Sequence, residues 1–466
     1  MIDYDRMFAL LDRVPMLADL DGFAPGLRAL PKANWEQHEK AWRAGRKFAR
    51  ETIYPMSGDH EKAMGKDPYF IDPTFMKRAA EARLFSIACG EGYGGSGLAS
   101  TGSALVMEEL CAGCAGLANI VGAHLLGLVG LLFTRNLELS GRVQQEVCEG
   151  ERQGRPLVMA AAITEPGAGS DVEDSELMET ARICTTATRI DGGFLLSGTK
   201  VFISNGSFAR YIVVGAALDK SRPRQTWSMF LVDTQSAGFE VGRVESKMGM
   251  KANPATQIHL EEVFVPDAQV ISDRLGDGMD STEALLGASR GPVGAIATGI
   301  ARGALERFLY FASVNTREGE TLLSRPEIQD LIAESFEDLC SSRATWMAAT
   351  LAFDRLGLGS VMGSPTYRIL SMRGATLARR LISRRPEARQ WLASRIDDGF
   401  AKINDDILAH ASLAKRVCSE SALQVITRLM DAMGPAALDP EWGMEKAWRD
   451  AKLTQIYEGT NQLNRV

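Results

Sequence analysis

The feature that most constrains this fold is a change of texture along the chain. Residues 182–190, 193–197, 211–217, 228–232, 239–244 and 256–265 are short, rich in β-branched side chains, and bounded by Gly, Asp, Asn or Pro. Runs of that length, separated by close turns, read as the strands of a small sandwich or barrel. On either side, apolar residues recur at three- and four-residue spacing, the period of a helix with one buried face. Residues 35–53, 73–84 and 102–110 show it before the strands, the second opening on a proline. Residues 283–314, 325–356, 364–380, 386–403 and 405–433 show it after them. The predicted plan is α+β and multi-domain: an N-terminal helical domain over 1–156, a central small β-barrel or sandwich over 157–275, and a C-terminal helical bundle over 276–466. A chain of 466 residues suits two or three such units, because a single core stops growing well below that size.

Residues 115–133 are the most apolar stretch and match a membrane span in length. Asn119, His124 and four glycines interrupt them, so they are predicted to form a buried helix and no integral span. Cys111 and Cys114 form a lone CxxC. With five histidines in the chain and only His124 nearby, no zinc set is complete, and no metal site is expected. Seven cysteines without framework spacing point to a reducing, cytoplasmic setting. The first 13 residues have early acids and no apolar run behind a basic start, unlike a secretory signal. A net charge of -7, without basic clusters interleaved with aromatics, argues against nucleic acid as partner and leaves room for a local phosphate-holding patch. The glycine-rich residues 90–97 lack the closing Gly-Lys-Ser/Thr of a phosphate loop and read as a tight connection between helices.

Three segments carry chemistry. Residues 449–462 form an amphipathic helix up to Ile456, broken by Glu458-Gly459-Thr460. A carboxylate at a helix C-terminus opposes the macrodipole on a surface, but such a side chain is well placed to enter a cleft. Residues 162–171 read as a strand entering a Pro/Gly turn, with hydroxyls on Thr164 and Ser170. Residues 197–206 read as a strand ending in Ser204-Asn205-Gly206. Each of the last two, alone, is an ordinary β-turn.

In order, Thr-Glu-Pro-Gly-Ala-Gly-Ser-Asp at 164–171, Gly-x-Lys-x-x-Ile-Ser-Asn-Gly at 198–206 and Tyr-Glu-Gly-Thr-Asn-Gln at 457–462 resemble the acyl-CoA dehydrogenase family. The resemblance spans about residues 90–465 and includes Lys247-Met248-Gly249 and Val263-Phe264-Val265-Pro266. It implies an FAD enzyme, with Thr164 hydrogen-bonding the flavin, Ser204 near its reactive N5, and Thr460 beside it. Phe202 stands where the family usually has a tryptophan, and an aromatic stack survives that exchange. Ser170 falls on the CoA side, and Tyr457, Gly459 and the helix residue Arg290 fall near the substrate. Glu458 is then the catalytic base that takes the α-proton of an acyl-CoA thioester, and the β-hydride passes to flavin N5, giving a 2-enoyl-CoA. Burial should raise the carboxyl towards working pH, and hydrogen bonds to the thioester oxygen should stabilise the enolate. An electron-transfer flavoprotein is the implied acceptor and a homo-oligomer, dimer or tetramer, the implied assembly.

Two segments depart from the pattern. The family usually has an Arg and a Phe-Gly pair before a Gln-containing helix that reaches a neighbour's FAD; here residues 317–323 read Arg-Glu-Gly-Glu-Thr-Leu-Leu, with Pro326 in place of the glutamine. Its Gly-Gly-x-Gly turn is here Asp431-Ala432-Met433-Gly434-Pro435-Ala436-Ala437, which keeps one glycine and adds a proline, with fewer free N–H groups to face a pyrophosphate. A hetero-oligomer that supplies those contacts is therefore an alternative. So is an acyl-CoA lyase or decarboxylase on the same scaffold, although retention of Glu458 speaks against it.

Overall fold

The computed structural model describes residues 2–134, 136–272, 274–356, 394 and 405–465. The helices expected over 364–380 and 386–403 lie outside the described residues, 394 apart. Helix α1 (Tyr4–Leu11) opens an N-terminal extension whose Tyr4 and Phe8 meet the Tyr54 ring edge to face. Helix α2 (Lys32–Phe48) runs into α3 (Tyr54–Lys66) through a wider π turn, Ala49–Ile53. Pro55 lacks the N–H that an α-helical ladder would use, and the N–H of Tyr54 reaches back five residues to the Ala49 carbonyl. Helix α4 (Pro73–Glu81) starts where the Asp72 carboxylate accepts from the Thr74 N–H at 2.7 Å. Helices α5 (Ser100–Gly113), α6 (Ala115–Leu132) and α7 (Leu137–Arg152) complete this helical part.

Helix α6 is the apolar stretch, and it is a core helix. Among the described residues it alone has the length and hydropathy of a span, and 78% of it is buried inside the protein. Its polar residues have protein partners: His124 Nε2 lies 2.7 Å from the Phe85 carbonyl, and His124 Nδ1 accepts from the Met159 N–H at 3.0 Å. Burial of His124 pushes its imidazole down to about 4, so it is neutral in the folded protein.

Seven strands form one curled sheet: β1 (Met159–Ala162), β2 (Thr186–Ile190), β3 (Gly193–Ser204), β4 (Tyr211–Ala217), β5 (Trp227–Asp233), β6 (Phe239–Val244) and β7 (Ala255–Pro266). Their order is β1-β4-β2-β3-β7-β6, with β5 paired to β4. Strand β2 begins at Thr186, four residues later than expected, because the N–H groups of Cys184 and Thr185 donate to the Glu165 carboxylate. Strand β3 continues past the expected end at Ser197. It survives a bulge at Gly198, where φ is 153° and a Cβ would meet Thr185 Cα at 2.5 Å.

Helices α8 (Gly278–Val314), α9 (Pro326–Leu356), α10 (Asp405–Met433) and α11 (Met444–Thr454) follow the sheet. Helix α8 is 37 residues long and contains Pro292. The proline leaves the Ala288 carbonyl without its helical N–H, and the Ser100 hydroxyl donates to that carbonyl at 3.3 Å. Buried charges lock α5, α8 and α9 together. Arg343 and Trp346 donate to the Glu108 carboxylate at 2.7 and 3.2 Å, and Arg302 lies 3.1 Å from Glu109 and 2.6 Å from Glu306.

Candidate active site

Helices α2, α5, α6 and α8, the sheet and the C-terminal segment enclose a cavity of about 1600 Å³. Thr164, Ser170, Phe202, Ser204, Tyr457, Glu458 and Thr460 all line it. Arg290 and Gly459 are not among the lining residues; they sit behind the wall and hold it. The glycine-rich loop is a tight turn as expected, yet Gly90, Glu91, Gly92 and Gly97 also line the cavity, a role its sequence does not reveal.

The two motifs on the sheet side are bonded to each other. The Val201 N–H donates to the Thr164 carbonyl at 3.0 Å. The ammonium of Lys200 donates to the Ile163 carbonyl at 2.9 Å and to the Glu165 carboxylate at 2.8 Å, and both side chains are fully buried. Glu165 and Lys200 thus clamp the Thr164 turn to β3. One helix turn away, Asn119 Nδ2 donates to the Ser204 hydroxyl at 3.3 Å, and Asn205 Nδ2 donates to the Ile120 carbonyl at 2.9 Å. Helix α6 therefore sets the position of the Ser204 hydroxyl. Phe202 adopts φ 60° and is 59% exposed at the cavity. A bulky side chain in the left-handed region is uncommon and marks a position held for a purpose. An exposed ring beside two hydroxyl-bearing residues and an apolar wall fits a planar heteroaromatic group.

Elsewhere on the cavity wall, α11 ends at Thr454, two residues before the expected end, and the chain turns through left-handed backbone at Glu458 (φ 56°) and Gly459 (φ 78°). That turn is pinned from two helices. Arg290 Nε of α8 donates to the Glu458 carbonyl at 3.1 Å, and Lys415 Nζ of α10 donates to the Gly459 carbonyl at 2.5 Å. Asn464 Nδ2 donates to the Gly459 carbonyl at 3.0 Å. These bonds offset the roughly 1–2 kcal/mol that a non-glycine residue pays in the left-handed region. Gly459 has no such latitude, since a Cβ there would meet Arg290, Asn464 and Glu173 atoms at 3.0 Å.

The Glu458 carboxylate is half-buried and accepts from the Ser289 hydroxyl at 2.6 Å. Burial raises its affinity for a proton, while Ser289, Arg290 and Lys415 oppose that rise. Ser289→Ala removes a donor that favours the anion. Glu458 in that variant should titrate about one pH unit higher than in wild type, the size expected for one hydrogen bond to a charged group, as read from its infrared carboxyl band. An unshifted titration would dismiss this role. Burial pushes the Tyr457 phenol well up, and its hydroxyl has no hydrogen-bond partner among the described residues.

The two departing segments meet in a second, shallower pocket of about 430 Å³, lined by Arg317, Arg325, Arg428 and Asp431 among others. Arg325 is already paired with Glu318 and Glu327, and Arg428 with Glu334 and Asp338. Sequence reasoning missed Ser289, Asn119, Glu173 and Lys415. Glu165 and Lys200 were within the motifs, but nothing in the sequence joins them into a pair.

A helical–sheet–helical chain whose apolar cavity is lined by an exposed aromatic ring and by a carboxylate on a pinned turn fits the class of oxidoreductases that hold a planar cofactor beside an apolar substrate. Profiles of the N-terminal, middle and C-terminal domains of acyl-CoA dehydrogenase match residues 35–136, 160–263, and 276–384 with 387–466. The chain belongs to the acyl-CoA dehydrogenase family, and FAD is its cofactor. It is 30% identical over 374 residues to cyclohex-1-ene-1-carbonyl-CoA dehydrogenase of Geobacter metallireducens, covering 80% of this chain and 83% of that one. It is 29% identical over 423 residues to cyclohexane-1-carbonyl-CoA dehydrogenase of the same organism, covering 90% and 93%. Among solved structures, butyryl-CoA dehydrogenase from Megasphaera elsdenii superposes with a TM-score of 0.73 at 22% identity, covering 92% of this chain and 96% of that one, and shares the fold.

Proposed function

We propose that this protein dehydrogenates an acyl-CoA between Cα and Cβ, with Glu458 as the base that removes the α-proton. One observation carries the reading: the Glu458 carboxylate, lifted by burial, bonded to Ser289 and set on a turn held by Arg290, lines the cavity that also holds Phe202, Thr164 and Ser204. FAD, when bound, supplies the two-electron acceptor for the hydrogen leaving Cβ. Thr164, Phe202, Ser204 and Thr460 would hold its ring, and Ser170 would contact the CoA side. The protein's own task is to hold Cα–H against Glu458, to keep water away from the anion that forms, and to give the carboxylate enough basicity to take a weakly acidic proton.

The acyl group we favour is cyclic. Leu125, Leu126, Val129, Phe133, Leu286 and Ile296 give the cavity broad apolar walls. Leu30 and Pro31 of the N-terminal extension also line it, so the extension shapes the acyl site. Two relatives named for six-membered-ring acyl-CoAs agree with this choice. An electron-transfer flavoprotein is the proposed acceptor, and a homo-oligomer the proposed assembly.

The test is a spectral titration of the chain purified alone. One tightly bound FAD per subunit is expected, with bleaching on addition of cyclohexane-1-carbonyl-CoA and weaker bleaching with butyryl- or glutaryl-CoA. Full flavin occupancy without bleaching by any saturated thioester would refute dehydrogenation. Absence of flavin from the isolated chain would favour a hetero-oligomer.

A further inference from the structure

Glu173 stands beside the proposed base and takes no part in the scheme above. It closes the turn Ser170–Glu173, lines the cavity, and has its Oε2 atom buried without a hydrogen-bond partner among the described residues. The cation beside it is Arg290, whose Nη2 lies 3.6 Å from that oxygen and likewise lacks a hydrogen-bond partner among the described residues. The rest of the guanidinium is engaged: Nε donates to the Glu458 carbonyl at 3.1 Å, and Nη1 donates to the Ser412 hydroxyl at 2.9 Å. One guanidinium therefore holds the backbone of the base and stops just short of contact with a second carboxyl group. The bare Cα of Gly459 makes the room in which these atoms face each other, because a Cβ there would lie 3.0 Å from both Arg290 Nη2 and Glu173 Oε2.

We propose that Glu173 is a positioning residue acting through Arg290: by closing the 3.6 Å gap it draws the guanidinium off the Glu458 carbonyl and loosens the turn that carries the base. This rests on Glu458 being the base. The charged groups that face Glu173 are Glu458 on the C-terminal turn, Arg290 on α8 and Lys415 on α10. Burial first, and then the negative charge of Glu458, push its carboxyl up to about 8, against the pull of Arg290 and Lys415. Below that pH Glu173 is a neutral acid and leaves Arg290 to the base. Above it, the anion attracts the free Nη2 and sets a second negative charge beside the charge that develops on the thioester. Proton abstraction therefore declines on the alkaline side. Lys415, brought down to about 8 by burial and by Arg290, titrates in the same range and has to be distinguished.

The experiment follows flavin reduction of the holoenzyme by saturating cyclohexane-1-carbonyl-CoA from pH 6 to 9.5, in wild type, Glu173→Gln and Glu458→Gln. Wild type should lose roughly tenfold in rate per unit above pH 8, as one ionisation dictates. Glu173→Gln should stay within about threefold of wild type at pH 7 and be about tenfold faster at pH 9. If Glu173→Gln keeps the wild-type alkaline decline, Lys415 or another group causes it and the proposal is overturned. A second readout needs no turnover: infrared difference spectra of the substrate-free protein between pH 7 and 9.5 should show a protonated carboxyl band lost in wild type, shifted in Glu173→Asp and missing from Glu173→Gln. A wild-type spectrum without that band overturns the proposal even should Glu173→Gln fail to fold. An error in the base assignment shows separately, as flavin reduction by Glu458→Gln.

Discussion

Glu458→Gln should fold, bind FAD and acyl-CoA, and reduce its flavin about 10²–10⁴-fold more slowly than wild type, the usual contribution of a positioned general base. Glutamine keeps the length of the side chain and can still meet the Ser289 hydroxyl, now 2.6 Å from the carboxylate. The backbone bonds from Arg290 to the Glu458 carbonyl and from Lys415 to the Gly459 carbonyl do not involve the side chain, so the turn should keep its shape. What disappears is the capacity to take a proton. The measurement is stopped-flow reduction of the flavin beside a binding titration with the same thioester, which separates chemistry from affinity. Near wild-type reduction would sink the assignment, because among the described residues lining the cavity only Glu458 sets a carboxyl group on a turn pinned from both α8 and α10.

The second large effect concerns stability. Glu165→Ala should destabilise the protein by about 3–5 kcal/mol, the cost of leaving a buried charge without its partner. Lys200 would be left fully buried, and the N–H groups of Cys184 and Thr185 would lose the carboxylate to which they donate. Burial already pulls Lys200 down to about 8, so the variant can shed part of the penalty by losing the proton, and its deficit should shrink as pH rises towards 9. Urea unfolding at pH 7 and pH 9 measures both the loss and its pH dependence. The double variant Glu165→Ala/Lys200→Met should recover much of the stability, since replacing both members of a buried pair costs far less than breaking it. FAD affinity should not recover with it, because the Thr164 turn would still lack its clamp to β3. Recovery of both would mean that the pair serves the core alone.

Much of the architecture was legible in the residues because periodicity is a local property. Both ends of β6 and the C-terminal end of α10 fall where alternation and helical spacing place them, at Phe239–Val244 and at Met433. Boundaries moved where a side chain from elsewhere captured the backbone: Glu165 took two N–H groups that would otherwise have started β2. Helix α6 shows the same division. Composition alone left it long enough for a membrane, and burial with bonds from His124 and Asn119 made it a core helix that positions Ser204.

The sequence by itself determined the order helix, sheet, helix and the motifs that carry Thr164, Phe202, Ser204 and Glu458, because spacing and turn chemistry act between near neighbours. Only the tertiary structure decided most of what surrounds Glu458. Ser289, Lys415 and Glu173 lie 43 or more positions from it along the chain, and their dipoles and charges act on it only after folding removes the water between them.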